Sequence, residues 1–264
     1  MVAAEPVADR QLPVAGCQLP VAEARRRRYH GSLPWEPATG NRKLLRQLTS
    51  SGKEPPPLPA GIRSWSAGRV LEVAVRKYEL VAIGCSMGGM HALQVIFSAL
   101  PREFPLPVAV VQHRYRTSNE GLPQFLRRHT KLDVVDTLDK QWIKPGTVYL
   151  APANYHLLVE RGELSLSVDE AVAYSRPSID VMFESAADAY GTGLIGIVLT
   201  GANADGARGA ARIKQRGGFV IAQDPKTAES PRMPEAAIQM TRVDRILPLD
   251  RIGPFLVELS RSSG

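Results

Sequence analysis

Cysteine is scarce: the 264 residues contain only Cys17 and Cys85. Two thiols so far apart give no disulfide framework, and there is no Cys-x-x-Cys pair to hold a structural metal. Such sparing use fits a reducing compartment, and a cytoplasmic location is expected. Long apolar runs are also missing. None approaches the roughly 18–20 residues needed to cross a bilayer, so membrane insertion is not expected. The third absence is a strong charge on most of the chain. The formal net charge is +7, but residues 1–75 hold 11 Lys and Arg against 6 Asp and Glu, whereas residues 76–264 hold 22 against 20. The basicity belongs mainly to the N-terminal stretch and gives no reason to expect nucleic acid as a partner of the rest. Hydrophobic residues make up 44 %, enough for a sizeable core.

Residues 1–75 differ in kind from the rest of the chain. They hold 9 of the 21 prolines, including Pro55-Pro56-Pro57, a basic run Arg25–Arg28 and a near-repeat, Gln-Leu-Pro-Val-Ala at 11 and again at 18. Proline fixes φ and lacks an N–H, so this density excludes long helices and central strands; one short helix near Arg42–Leu48 is compatible with it. The composition predicts a largely disordered extension. No apolar stretch comes after the arginines, as a secretory signal requires. A second reading of 1–75 is a mis-assigned start, with translation beginning near Val75.

Residues 76–264 alternate between two periodicities. Short apolar runs predict strands at Leu80–Gly84, Val108–Gln112, Asp133–Leu138, Val148–Ala151, Leu194–Thr200, Phe219–Gln223 and Ile246–Leu247. Helical spacing covers Met87–Leu100 (Met90, Leu93, Ile96, Phe97, Leu100), Leu122–His129, Ser178–Tyr190, Asp205–Arg216, Pro234–Met240 and Leu249–Leu259. His156–Glu160 and Leu164–Val168 flank Arg161-Gly162-Glu163 as a hairpin. The expected fold is α/β: a doubly wound, mostly parallel sheet with helices on both faces and a small antiparallel hairpin. Ligands in such folds bind beyond the carboxyl ends of the strands, which is where polar residues matter.

Three strand ends carry suitable chemistry. Gly84-Cys85-Ser86-Met87-Gly88 stands between the first strand and its helix, the context of a G-x-S-x-G nucleophile elbow. Glycines permit a tight turn, and the helix start offers N–H groups and a positive dipole end to a developing oxyanion. A glycine-rich loop of this kind also serves simply to tighten a βα turn or to hold a phosphate. The glycines do not fit G-x-G-x-x-G, and the next strand ends in Gln112-His113 rather than an acidic residue, so a dinucleotide is disfavoured. His113 is placed to act as general base, although a lone histidine is more often packed or superficial. After Leu194–Leu199 comes Thr200-Gly-Ala-Asn-Ala-Asp205-Gly206. Asp205 suits an N-cap of the following helix or the orienter of an imidazole, and Asn203 suits either the loop or the histidine. The order Ser…His…Asp differs from the Ser…Asp…His of α/β-hydrolases.

The sequence resembles the catalytic domain of the CheB family of chemotaxis response-regulator methylesterases. The likeness runs from residue 80 to about 259 through Ile83–Gly89, Gln112-His113, Ala151-Pro152 with His156, Arg176–Asp180, Leu199–Gly206 and Met233–Ala236. The resemblance implies a serine hydrolase that demethylates glutamate γ-methyl esters on the helical cytoplasmic bundle of chemoreceptors, with glutamine deamidation as a possible second activity. It implies Ser86 as nucleophile, His113 as base and Asp205 as orienter. Met87 and Ala202 are the candidate backbone donors of the oxyanion hole. Arg176 is a candidate for binding substrate carboxylates or for capping the next helix. No cofactor or metal is implied.

Many family members carry an N-terminal receiver domain, and residues 1–79 lack the alternation and acidic pocket of one. A stand-alone catalytic domain is therefore expected, with any response regulator a separate partner. Met87 stands where smaller residues are common and is expected to narrow the pocket mouth. Cys85 is expected to point into the core. His91, His129 and His156 are assigned to structure or surface. The competing readings are a non-catalytic paralogue that binds a receptor or regulator through the same cleft, and an esterase for small molecules.

Overall fold

A computed structural model describes residues 77–113 and 121–261. These belong to the second of two units into which the chain divides, Val70–Gly264. The expectations for the 1–75 extension, for Cys17 and for a helix at 42–48 lie outside the described residues.

Ten strands are described: β1 (Leu80–Cys85), β2 (Val108–Gln112), β3 (Asp133–Asp136), β4 (Gln141–Trp142), β5 (Thr147–Leu150), β6 (His156–Glu160), β7 (Glu163–Ser167), β8 (Leu194–Val198), β9 (Phe219–Gln223) and β10 (Arg245–Leu247). The helices are α1 (Gly89–Ser98), α2 (Leu122–Arg127), α3 (Ile179–Tyr190), α4 (Ala207–Gln215), α5 (Arg232–Met240) and α6 (Leu249–Arg261). Seven strands form one sheet in the order β10-β9-β8-β1-β2-β5-β3, and every neighbouring pair is parallel.

Strand residues buried on both faces must feed two cores, and they do so by alternation. Val81, Ile83 and Cys85 of β1 join Leu93, Ile96 and Phe97 of α1 and Ile252 and Leu256 of α6 on one side. Leu80 and Ala82 join Ile179, Met182 and Phe183 of α3 and Ala210 and Ile213 of α4 on the other. This is the doubly wound arrangement that the alternating pattern predicts.

The hairpin of β6 and β7 pairs antiparallel, turning at Arg161-Gly162, where Gly162 takes φ 81°. It gains a third strand, β4, which the sequence pattern does not reveal because two residues show no periodicity. Leu157, Val159 and Leu164 of this small sheet pack with α3, so α3 lies between the two sheets.

Two further differences are local. Met90, expected on the buried face of α1, is 46 % exposed, and Ala92 is buried. Helix α4 begins at Ala207 rather than Asp205, because Gly206 (φ 93°) occupies its N-cap position.

Candidate active site

The chain lays β1, β2, the edge strand β3 and then β5 between β2 and β3 on one side, and returns to lay β8, β9 and β10 on the other. The crevice at the switch point therefore opens above β1 and β8. Ser86 follows β1, His113 follows β2 and Asp205 follows β8, so three adjacent strands deliver the three candidates. The His113 N–H continues the ladder past the end of β2, donating to Cys85 O at 3.1 Å. That register sets His113 beside Ser86.

The two glycines of the elbow do different work. Gly88, with φ 76°, makes the left-handed turn into α1. Gly84 is needed for space, since a β-carbon there would collide with the Ile179 side chain in the first turn of α3. The Ser86 backbone is pinned at both ends. Its N–H donates to Thr200 O (2.9 Å), and its carbonyl accepts from Gly89 N–H (2.9 Å) and Gln112 Nε2 (2.8 Å). Thr200 clasps the elbow to the β8 loop. Its hydroxyl donates to Met87 O (2.8 Å) and accepts from Ser230 N–H (2.9 Å), while its own N–H donates to Gln223 Oε1 (2.9 Å).

Gln112, Thr200 and Gln223 are all buried polar side chains. The sequence carried a signal for them: a polar residue closing an apolar strand has to find a hydrogen-bond partner inside.

His113 and Asp205 meet directly, Nε2 to Oδ2 at 2.7 Å, with the Asp205 side chain fully buried and the histidine side chain 15 % exposed. Asp205 does not cap the helix after it. Its carboxylate reaches α3 instead. Oδ2 also accepts from Ile179 N–H (2.8 Å), and Oδ1 accepts from Ser178 Oγ (2.9 Å) and Asp180 N–H (3.0 Å). Burial pushes this carboxyl upward, but the bonds from His113, Asp180 and Ile179 outweigh it and hold the group below the ordinary carboxylate range. An ionised carboxylate only accepts, so His113 Nε2 carries the hydrogen and Nδ1 is left for the serine. Chymotrypsin-type triads use the two nitrogens the other way round.

Among the described residues Ser86 Oγ has no hydrogen-bond partner; the structure thus joins two of the three candidates and sets the third beside them. Asn203 accepts from the Asp205 N–H (3.1 Å) and so shapes the loop.

The remaining assignments divide. Met87 is 55 % exposed beside the serine, and Ala202 is also exposed. Among the described residues neither N–H donates a backbone hydrogen bond, as an oxyanion donor requires. Arg176 is occupied elsewhere. Its Nε and Nη2 donate to Asn154 Oδ1 (3.2 and 2.7 Å), and Nη1 donates to the carbonyls of Val168 and Asp169 (2.8 and 2.9 Å). These bonds tie a loop together, and among the described residues Arg176 caps no helix. Cys85 is fully buried, and burial pushes its thiol far up, so it is no rival nucleophile. A cavity of about 610 Å³ opens beside Asn203, Ala204 and Asp205, walled by Val172, Ala236 and Met240. Another of about 560 Å³ surrounds Trp142 and Tyr149, away from the strand ends that carry the site.

Known proteins resemble this chain in sequence and in fold. The sequence profile of the family described as CheB methylesterase matches residues 81–256. A protein of Leptospira interrogans, provisionally named protein-glutamate methylesterase/protein-glutamine glutaminase, is 43 % identical over 187 residues, 70 % of this chain and 97 % of that protein. Protein-glutamate methylesterase FrzG of Myxococcus xanthus is 41 % identical over 182 residues, 69 % of this chain and 54 % of FrzG. The crystal structure of the Thermotoga maritima CheB methylesterase catalytic domain superposes with a TM-score of 0.66 at 35 % identity, covering 69 % of this chain and 99 % of that domain. The chain belongs to the CheB methylesterase family.

Proposed function

We propose that this protein is a protein-glutamate methylesterase in which Ser86, His113 and Asp205 are nucleophile, base and orienter. The observation that carries the reading is the buried 2.7 Å pair of His113 and Asp205 at the strand end next to the Ser86 elbow. Ser86 Oγ bonds to the ester carbonyl carbon while its proton passes to His113 Nδ1. The oxyanion turns toward the N–H of Met87, at the elbow that leads into α1, and the N–H of Ala202, in the loop after β8. The C–OCH₃ bond breaks, His113 returns the proton, and methanol leaves. Water then repeats the sequence on the glutamyl ester, freeing Ser86 and a glutamate side chain. The same attack on a glutamine amide, with ammonia leaving, gives the glutaminase activity named for the Leptospira relative.

The proposed substrate is the methylated helical bundle of a chemoreceptor, met in the cytoplasm, with a separate response regulator as a further partner. Among the described residues no helix is long and apolar enough to cross a membrane. A binding-only paralogue would use the Asp205 carboxylate to satisfy the first N–H groups of α3 but would not need a histidine bonded to it. The test is turnover of a methylated receptor cytoplasmic fragment beside a simple acyl ester. Faster turnover of the receptor is expected; cleavage of the acyl ester alone would reassign the protein to small molecules.

A further inference from the structure

The small antiparallel sheet reaches the site through one residue. His156 begins β6 and is 2 % exposed, with both ring nitrogens engaged. Nε2 lies 3.1 Å from the Glu170 carbonyl oxygen, and Nδ1 accepts the Ser178 N–H at 3.2 Å. A carbonyl accepts and an N–H donates, so the ring hydrogen is on Nε2. Ser178 stands at the N-cap position of α3, yet its hydroxyl makes no cap bond and donates to Asp205 instead. Three of the four bonds on the Asp205 carboxylate thus come from the consecutive residues Ser178, Ile179 and Asp180. The backbone N–H that opens this stretch is held by His156.

We propose that His156, acting through Ser178, is a positioning residue for the catalytic carboxylate. The proposal rests on the triad roles given above. Helix α3 is packed between two sheets by Met182, Phe183 and Ala186. Apolar packing is non-directional and tolerates small sliding and rotation, whereas hydrogen bonds fix height and angle. A misplacement of about 1 Å in catalytic geometry costs on the order of a hundredfold in rate. On the side of the small sheet His156 supplies a directional contact at the N-cap of α3, while the Asp180 carboxylate ties the same turn to Gly209 and Arg208 of α4. The hairpin is on this account part of the catalytic scaffold.

The test uses the full chain and the rate at which a fluorophosphonate labels Ser86, which reads activation of the serine whatever the natural substrate. His156→Phe keeps the bulk and loses both bonds; His156→Gln keeps an acceptor and a donor; Ser178→Ala removes one hydroxyl from the same path. We expect His156→Phe to label at least about tenfold more slowly, His156→Gln to recover to within about threefold of wild type, and Ser178→Ala to fall between. A merely structural histidine would change the melting temperature and leave the labelling rate of the folded protein alone. Wild-type rates in folded His156→Phe would overturn the proposal, and should that variant not fold, wild-type rates in folded His156→Leu, which likewise loses both bonds, would do so. Failure of the wild type to label would remove the triad reading and this proposal together.

Discussion

Asp205 carries two duties in one carboxylate. It accepts from His113, and it satisfies the first N–H groups of α3, where the positive end of the helix favours its charge. Asp205→Asn therefore has two expected effects. Turnover falls by about 10⁴-fold, because an amide no longer enforces the productive tautomer. Stability falls by roughly 2–3 kcal/mol, because charge-assisted bonds in a buried site are lost.

The pH dependence of that second effect has a definite sign. Asp205 lies below its ordinary value in the folded protein, so its contribution is fully present above the unfolded value near 3.9 and is lost as pH falls through the folded value. Asp180 runs the other way, chiefly because burial raises it; burial is common to both proteins and cancels, leaving only the smaller part of the rise that the Asp205 charge supplies. Chemical denaturation should show wild type more stable than Asp205→Asn at pH 5 and above, with the gap closing below about pH 4. A gap that widens in acid would contradict this assignment of the carboxylate.

At this scale the sequence was informative about residue type and poor about direction. Serine, histidine and aspartate at three strand ends could be read from the chain. Which ring nitrogen meets Asp205 could not, because it depends on the side from which β2 delivers the histidine. Nor could the use of Asp205 to cap a helix preceding it in sequence, since capping rules are local and this contact spans 26 residues. The partners of Arg176 were not legible either, because Asn154 lies 22 residues away and the carbonyls of Val168 and Asp169, though nearby, are backbone groups that no residue type reveals.

At the scale of elements, strands and helices were legible wherever a period ran for five residues or more. β2, β6 and β9 match the expected spans, and other ends move by a few residues at glycines and turns. The pairing of β8 with β1 was not legible, because it depends on where the chain returns after more than a hundred residues. The need for Gly84 was hidden in the same way, since it faces Ile179 of α3 across a gap too small for a methyl group. Gly84→Ala is expected to destabilise by about 1–3 kcal/mol through overpacking and, by displacing the first turn of α3, to lower turnover as well. Thermal melting with steady-state rates checks both. Unchanged stability would mean that Ile179 yields freely and that the close approach is not required.

At the scale of the whole described unit, two cores cover the faces of a seven-stranded parallel sheet, and apolar strands end in polar residues along its carboxyl rim. The switch point of the winding falls on that rim between β1 and β8, and the three candidates gather around it. Fold and site location thus derive from one fact, the reversal of strand order. The most direct measurement is methanol release from a methylated chemoreceptor fragment by wild type and by Ser86→Ala. The account predicts release by the wild type and a loss of at least about 10³-fold in the mutant, with Ser86 the residue that a fluorophosphonate labels. Comparable release by both proteins, or labelling at another serine, would contradict it.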